Sequence, residues 1–306
     1  MKRKVIQLAN NTLVMSIPAA WVKKTKISKG DSINVEEAGD MLLVSPEGRT
    51  VSMSFTIDAD QIAFNKNMLS YLYQKGYDQI EVVNLNADMF KQIKERTSEL
   101  LGFEIIEHSE KRCLIKAVSK EMESEFDNLL RRTFLITLEM ARHLHDAIAK
   151  NEHQRIVEIR NLEKTTNTFT DFCKRILSKG SYKDPENTTY MYVIIRDLEK
   201  IADYYKRICD VFLTTKDKPS ISKKTLDLIN KTNAFFEMFY KLFYKFNPET
   251  FKRFQSEGKS MISAANSLLK TASHEESRII NNIISITTTT YDLSGPYFIL
   301  NFDRIR

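Results

Sequence analysis

The sequence predicts an α+β protein with a β-rich N-terminal unit, a small α/β (ferredoxin-like) middle domain and an all-α C-terminal half made of two three-helix bundles. Three observations carry this. Short runs of branched and alternating apolar residues, broken by turn residues, dominate up to about residue 118. From Glu121 onward the apolar residues recur at three and four positions, the period of an amphipathic helix. Only eight Gly and six Pro punctuate the 306 residues, so long helices go uninterrupted. The expected boundaries are 1–48, 49–118 and 119–306.

The first stretch, KRKVIQLANNTLVMSIP, reads as two strands, Val5 to Ala9 and Thr12 to Ile17, joined at Asn10-Asn11. Pro18 ends the second strand and opens a short helix over Ala19 to Thr25. A Gly-Asp turn leads to a second hairpin, Ser32 to Glu36 and Met41 to Ser45. About 45 residues bury too little surface to stand alone, so this unit is expected to dimerise, with Trp21 contributing to its core. Its charge has one sign. Lys2, Arg3, Lys4, Lys23, Lys24, Lys26 and Lys29 fall in the first thirty residues, where no Asp or Glu occurs. Such a patch suits a phosphate backbone, and Asn10 and Asn11 are candidate groove-facing amides.

The segment SIPAAWVKK…ISKGDSINV resembles the AbrB/SpoVT/MazE-type swapped-hairpin domain: a strand, Ile-Pro, a short helix, then Gly-Asp before another strand. The resemblance covers about the first 48 residues. It implies an intertwined homodimer that binds DNA through its basic face, as in transcription regulators and antitoxins. Lys2, Arg3, Lys4, Asn10, Asn11, Lys23, Lys24 and Lys26 are the DNA-contact candidates.

In the middle, TVSMSFTI alternates like a strand. A helix capped by Asp58 or Asp60 runs to Gly76, QIEVVNL forms a strand, and a second helix capped by Asn86 or Asp88 closes at Gly102. FEIIEHSEKRCLIKAV forms a hairpin. The order is βαβαββ. No Gly-rich phosphate loop and no His or Cys cluster appears here, and His108 reads as a surface residue.

The helical half reads as six helices, about 119–150, 152–178, 186–214, 221–245, 248–272 and 275–302. In YVIIRDLEKIADYYKRICDVF, the residues Ile194, Ile195, Leu198, Ile201, Ala202, Tyr205, Ile208, Cys209 and Phe212 form one apolar stripe. Glu199, Asp203 and Asp210 fall roughly 100–140° away and make a separate acidic ridge. Carboxylates at i and i+4 can share a hard cation. The alternative is a helix surface laced with ion pairs to Arg196, Lys200, Lys206 and Arg207.

The stretch Leu198-Glu199-Lys200-Ile201-Ala202-Asp203 resembles the signature helix of the PhoU phosphate-signalling family, with Lys where the family has Arg. The preceding helix and the helix count agree, so the resemblance spans about 185 residues. It implies a pair of three-helix bundles, a role in phosphate uptake, and acidic motifs on neighbouring helices that hold iron or zinc. Carried over by position, Glu163, Glu199 and Asp203 match, but Asn167 stands where an acid belongs. In the second bundle Glu257 is followed by Met261, and Thr287 and Tyr291 replace carboxylates beside Asp292. The implied site is one degenerate position, Glu163, Glu199 and Asp203, for a divalent or iron/zinc ion; the other reading is an acidic docking face.

The net charge of +6 favours an anionic partner. Cys113, Cys173 and Cys209 are dispersed and form no CxxC pair, which fits buried thiols in a reducing cytoplasm. No apolar h-region and no apolar run of about 18 residues occurs, so neither a signal peptide nor a membrane span is expected. Nothing pairs a nucleophile with a base. The five histidines are scattered, and His143 and His145 point to different faces of a helix, so an enzyme is not expected. The leading reading is a DNA-binding regulator of phosphate homeostasis. The alternative is a PhoU-like adaptor that docks on a phosphate transporter or signalling partner without specific DNA binding. An antitoxin is disfavoured, because antitoxin tails are short and disordered and this one is long and periodic.

Overall fold

The computed structural model describes residues 2–8, 11–38, 41–46, 52–119, 123–215 and 219–302, without the side chains of Glu36, Ala38, Met41 and Leu43. The chain divides into two compact units, Met1–Ser52 and Met53–Arg306.

In the first unit β1 (Val5–Gln7) pairs antiparallel with β2 (Leu13–Met15), in register Val5 with Met15. Leu8 N–H donates to the Thr12 carbonyl at 2.8 Å, and Asn11 takes the left-handed φ of 60° that the tight connection needs. Helix α1 (Ala19–Thr25) follows Pro18 as expected and ends at Lys26, itself left-handed at φ 52°. Gly30 at φ 97° makes the turn into β3 (Ile33–Ala38), which pairs with β4 (Met41–Pro46). Trp21 is only half-buried. No described residue of this unit is buried.

The second unit opens with a four-stranded sheet in the order β5-β6-β8-β7, from β5 (Ser54–Asp58), β6 (Gln79–Val83), β7 (Phe103–Ser109) and β8 (Arg112–Ala117). β5 and β6 are parallel and the other pairs antiparallel. This order has a terminal hairpin, unlike the βαββαβ unit of ferredoxin-like domains. Ile57, Ile80, Val82, Cys113 and Ile115 are buried together with Leu69 and Tyr73 of α2 (Asn67–Gln74) and Ile93 of α3 (Ala87–Thr97). Asn86 caps α3 by accepting from Met89 N–H at 2.9 Å. Helix α2 starts later than expected. Asp58 is occupied in a turn, accepting from Asp60 N–H, Gln61 Nε2 and Asn84 Nδ2, and so is not a helix cap.

Two groups of three long helices complete the unit: α4 (Phe126–Ala149), α5 (Ile156–Ser178) and α6 (Thr188–Thr214), then α7 (Lys223–Tyr244), α8 (Pro248–Leu269) and α9 (His274–Asp292). Ser222, Asn247 and Ser273 cap the last three. The expected sixth helix is two. Pro296 cannot share a helix with Asp292, whose carbonyl its ring would strike, so α9 stops there and α10 (Ser294–Leu300) follows. Every residue of the apolar stripe expected on α6 is buried. Between the two groups, Tyr205 on α6 donates to Asn233 Oδ1 on α7 at 2.8 Å, and Asn233 Nδ2 donates to the Ala141 carbonyl of α4 at 2.7 Å.

The sheet and the helices form one unit because α5 grips α2. The buried Arg175 guanidinium donates to the carbonyls of Tyr73 (3.0 Å) and Tyr77 (2.6 Å), pairs with Asp78, and lies 5.0 Å from the ring centres of Tyr73 and Phe103. Lys179 reaches the same Asp78 carboxylate at 2.7 Å.

Candidate nucleic-acid interface and acidic ridge

In the first unit Lys2, Arg3 and Lys4 lead into β1, Lys23 and Lys24 form the last turn of α1, and Lys26 caps it. All six side chains are exposed, and none enters an ion pair among the described residues. Their charge therefore faces water uncompensated, which is what a polyanion needs. Asn11 is exposed, but its Oδ1 accepts from Gln7 Nε2 at 2.8 Å, so part of its amide is tied up in the hairpin. Asn10 lies outside the described residues. The apolar side chains are equally bare: Val5 is 63% exposed, Leu13 68%, Met15 52% and Leu42 57%.

In the second unit the acidic ridge of α6 faces α5, and each carboxylate has a partner. Arg160 Nε donates to Asp210 at 2.5 Å. One turn along, the Lys206 ammonium lies between Glu163, at 2.8 Å, and Asp203, at 3.2 Å. Asn167 Nδ2 adds a hydrogen bond to Glu163 at 2.6 Å. Further along, Glu199 accepts from the Lys174 ammonium and from Thr170 Oγ1, the latter at 2.7 Å. Gln74 Nε2 of α2 then donates to Asp171 at 2.7 Å.

Burial shapes the titration of this row. It pushes the Glu163 carboxyl upward, against the pull of Lys206 and Asn167. Burial alone would lower Lys206, but the carboxylates of Glu163 and Asp203 outweigh it and hold the ammonium above its ordinary range. Asp171, buried and facing Glu199, is pushed up to about 6.

The three carboxylates expected to share an ion are thus split. Glu163 and Asp203 meet around Lys206, while Glu199 belongs to Lys174 and Thr170. Among the described residues no three of His, Cys, Asp or Glu are grouped to hold a metal. Of the ion pairs expected along α6, Lys206 with Asp203 forms, whereas Arg196 and Lys200 turn to the buried Asp197. In the second bundle Glu257 pairs with Arg253. Arg160, Thr170 and Lys174 escape the sequence pattern of α6; the signal available for them is their recurrence on the α5 face that carries Glu163.

Residues 6–51 match the family model described as antidote-toxin recognition MazE, bacterial antitoxin. Residues 130–212, from α4 to α6, match the PhoU domain model. Neither model describes an enzyme, and the second helical group lies outside the PhoU match. No curated protein matches the chain. Among solved structures, the crystal structure of the phosphate transport system regulatory protein PhoU from Streptococcus pneumoniae is similar over 59% of this chain and 95% of that chain, at 13% identity and a TM-score of 0.48. No helix among the described residues is long and apolar enough to cross a membrane.

Proposed function

We propose that the chain is a homodimeric, DNA-binding transcriptional regulator of phosphate uptake, working in the cytoplasm. In this reading residues 1–48 dimerise and grip operator DNA, 49–118 form the small α/β domain, and 119–306 sense the phosphate signal or dock on a phosphate transporter or signalling protein. One observation carries the DNA half: among its described residues, a segment matching the MazE model has no buried side chain, yet presents Val5, Leu13, Met15 and Leu42 bare beside lysines that enter no ion pair there. A second copy is the natural cover for those apolar residues, and pairing two copies doubles the local positive charge. The PhoU match on the same chain supports phosphate status as the input. A regulator fits better than an antitoxin, because the first unit is joined to a large compact one, Met53–Arg306. Any signal must bind the DNA-competent and DNA-free states unequally to act.

Chromatin immunoprecipitation of the full chain from phosphate-rich and phosphate-poor cultures tests this. Enrichment upstream of phosphate-transport genes that changes with phosphate is expected. Absence of enrichment, with co-purification of the uptake machinery, would replace the regulator by the adaptor.

A further inference from the structure

The residues through which the PhoU resemblance implies a metal do not make a donor set for one. Glu163 and Asp203 do converge, but the Lys206 ammonium stands between them, at 2.8 and 3.2 Å. Two carboxylates and one ammonium leave a single negative charge. Asn167 replaces the expected acid and donates its amide hydrogen to Glu163, so it adds no charge. Its Oδ1 is buried without a partner among the described residues, and is one neutral oxygen. Glu199, the third expected ligand, is engaged a turn away by Lys174, whose side chain is only 6% exposed. Hard or borderline cations are held by several anionic oxygens or by imidazole and thiolate. A dication on the oxygens of Glu163 and Asp203 would also sit in contact range of a positive charge.

We propose that Lys206 and Lys174 are the resident cations of this ridge, each taking the place of a metal ion and making the α5–α6 contact independent of metal. The consequence is functional. A metal-bridged pair of helices responds to metal supply, whereas an ammonium carried by the chain itself is always present. The α5–α6 face therefore relays no metal signal, and whatever input the helical region receives enters elsewhere. The side chains concerned all lie within the second unit, so their arrangement holds whether or not the first unit binds DNA.

The test uses the full chain purified without chelators. Elemental analysis of the wild type should find iron and zinc far below one per chain. Titration calorimetry with Zn²⁺ and Fe²⁺ should show no site abolished by Asp203→Asn, and chelator should leave the melting temperature unchanged. The double variant Lys206→Ala/Asn167→Asp removes the ammonium and restores the acid. It should gain about one Zn²⁺ per chain and a melting temperature that rises with added Zn²⁺. Tightly held metal in the wild type that Glu163→Gln or Asp203→Asn releases would overturn the proposal. So would a folded double variant that takes up no metal, since lysine would then not be what excludes it. Should that variant fail to fold, the single variant Asn167→Asp on the wild-type lysine must still bind none.

Discussion

Replacing Lys206 by Met is the sharpest probe of how α5 is held to α6. The Glu163 side chain is 6% exposed and Lys206 25% exposed, with 2.8 Å between the charged atoms. Lys206→Met keeps most of the buried stem but strands the Glu163 carboxylate, which retains Asn167 and faces Asp203 without an intervening cation. Breaking a buried ion pair by removing one partner costs about 3–5 kcal/mol. A quarter-exposed ammonium leaves room for water to take its place, so about 2–3 kcal/mol is expected here. Glu163→Gln removes the stranded charge, leaves Lys206 with Asp203, and should cost only about 1 kcal/mol. The double variant should then be less unstable than the sum of the singles by roughly 1–2 kcal/mol. Urea unfolding followed by far-ultraviolet circular dichroism at constant m-value measures all three. A Lys206→Met loss under about 0.5 kcal/mol with an additive double variant would refute the claim that this ammonium neutralises a buried carboxylate.

Other expectations concern the joints around this row. Arg175→Ala takes one donor each from Asp78, which keeps Lys179, and from the carbonyls of Tyr73 and Tyr77, and should lower stability by about 1–3 kcal/mol while exposing the 77–78 segment to protease; unchanged urea unfolding would contradict it. Tyr205→Phe leaves Asn233 Oδ1 without its hydroxyl donor in a buried site and should cost about 1–3 kcal/mol in the same assay; a neutral outcome would mean that the network is not formed. Asp171 gives a pH dependence. Its carboxyl titrates near 6 in the folded chain against 3.8 as an ordinary group, so the folded state binds the extra proton between those values. Stability linked to this group is full below 3.8 and is lost as pH rises to about 6, by up to about 3 kcal/mol. Asp171→Asn keeps an acceptor for Gln74 and should raise the melting temperature at pH 7 but not at pH 4; an equal shift at both would be contrary.

Much of this architecture is legible in the chain because local chemistry sets it. Pro18 and the residues after it specify α1 over Ala19–Thr25, and Asn86, one of the two residues expected to cap α3, does so. The α6 stripe follows from period alone. Misses arise where one residue has two possible uses. Asp58 looks like a helix cap, but its carboxylate is taken by Gln61 and by Asn84 from the far end of β6, a contact that no local pattern contains. The break at Leu293 needs Pro296 to be weighed against a strongly periodic stretch. The ridge is the instructive case. Spacing on α6 shows that Glu199, Asp203 and Asp210 share a face, but not what stands opposite. Arg160, Glu163, Thr170 and Lys174 meet them only once α5 packs antiparallel at a particular height. The bareness of Val5, Leu13 and Met15 is foreseeable from the length of the first unit, since so few residues cannot bury them.

The salt dependence of DNA binding by the full chain tests the central claim most directly. Fluorescence anisotropy on a labelled duplex over a series of salt concentrations gives the slope of log Kobs against log salt, about −0.9 for each phosphate contact. A dimer using Lys23 and Lys24 on both subunits should show a steep slope, which Lys23→Ala/Lys24→Ala makes shallower by up to roughly 3–4. Absence of binding in dilute buffer, or a slope that the double variant leaves unchanged, would contradict a DNA grip built from α1.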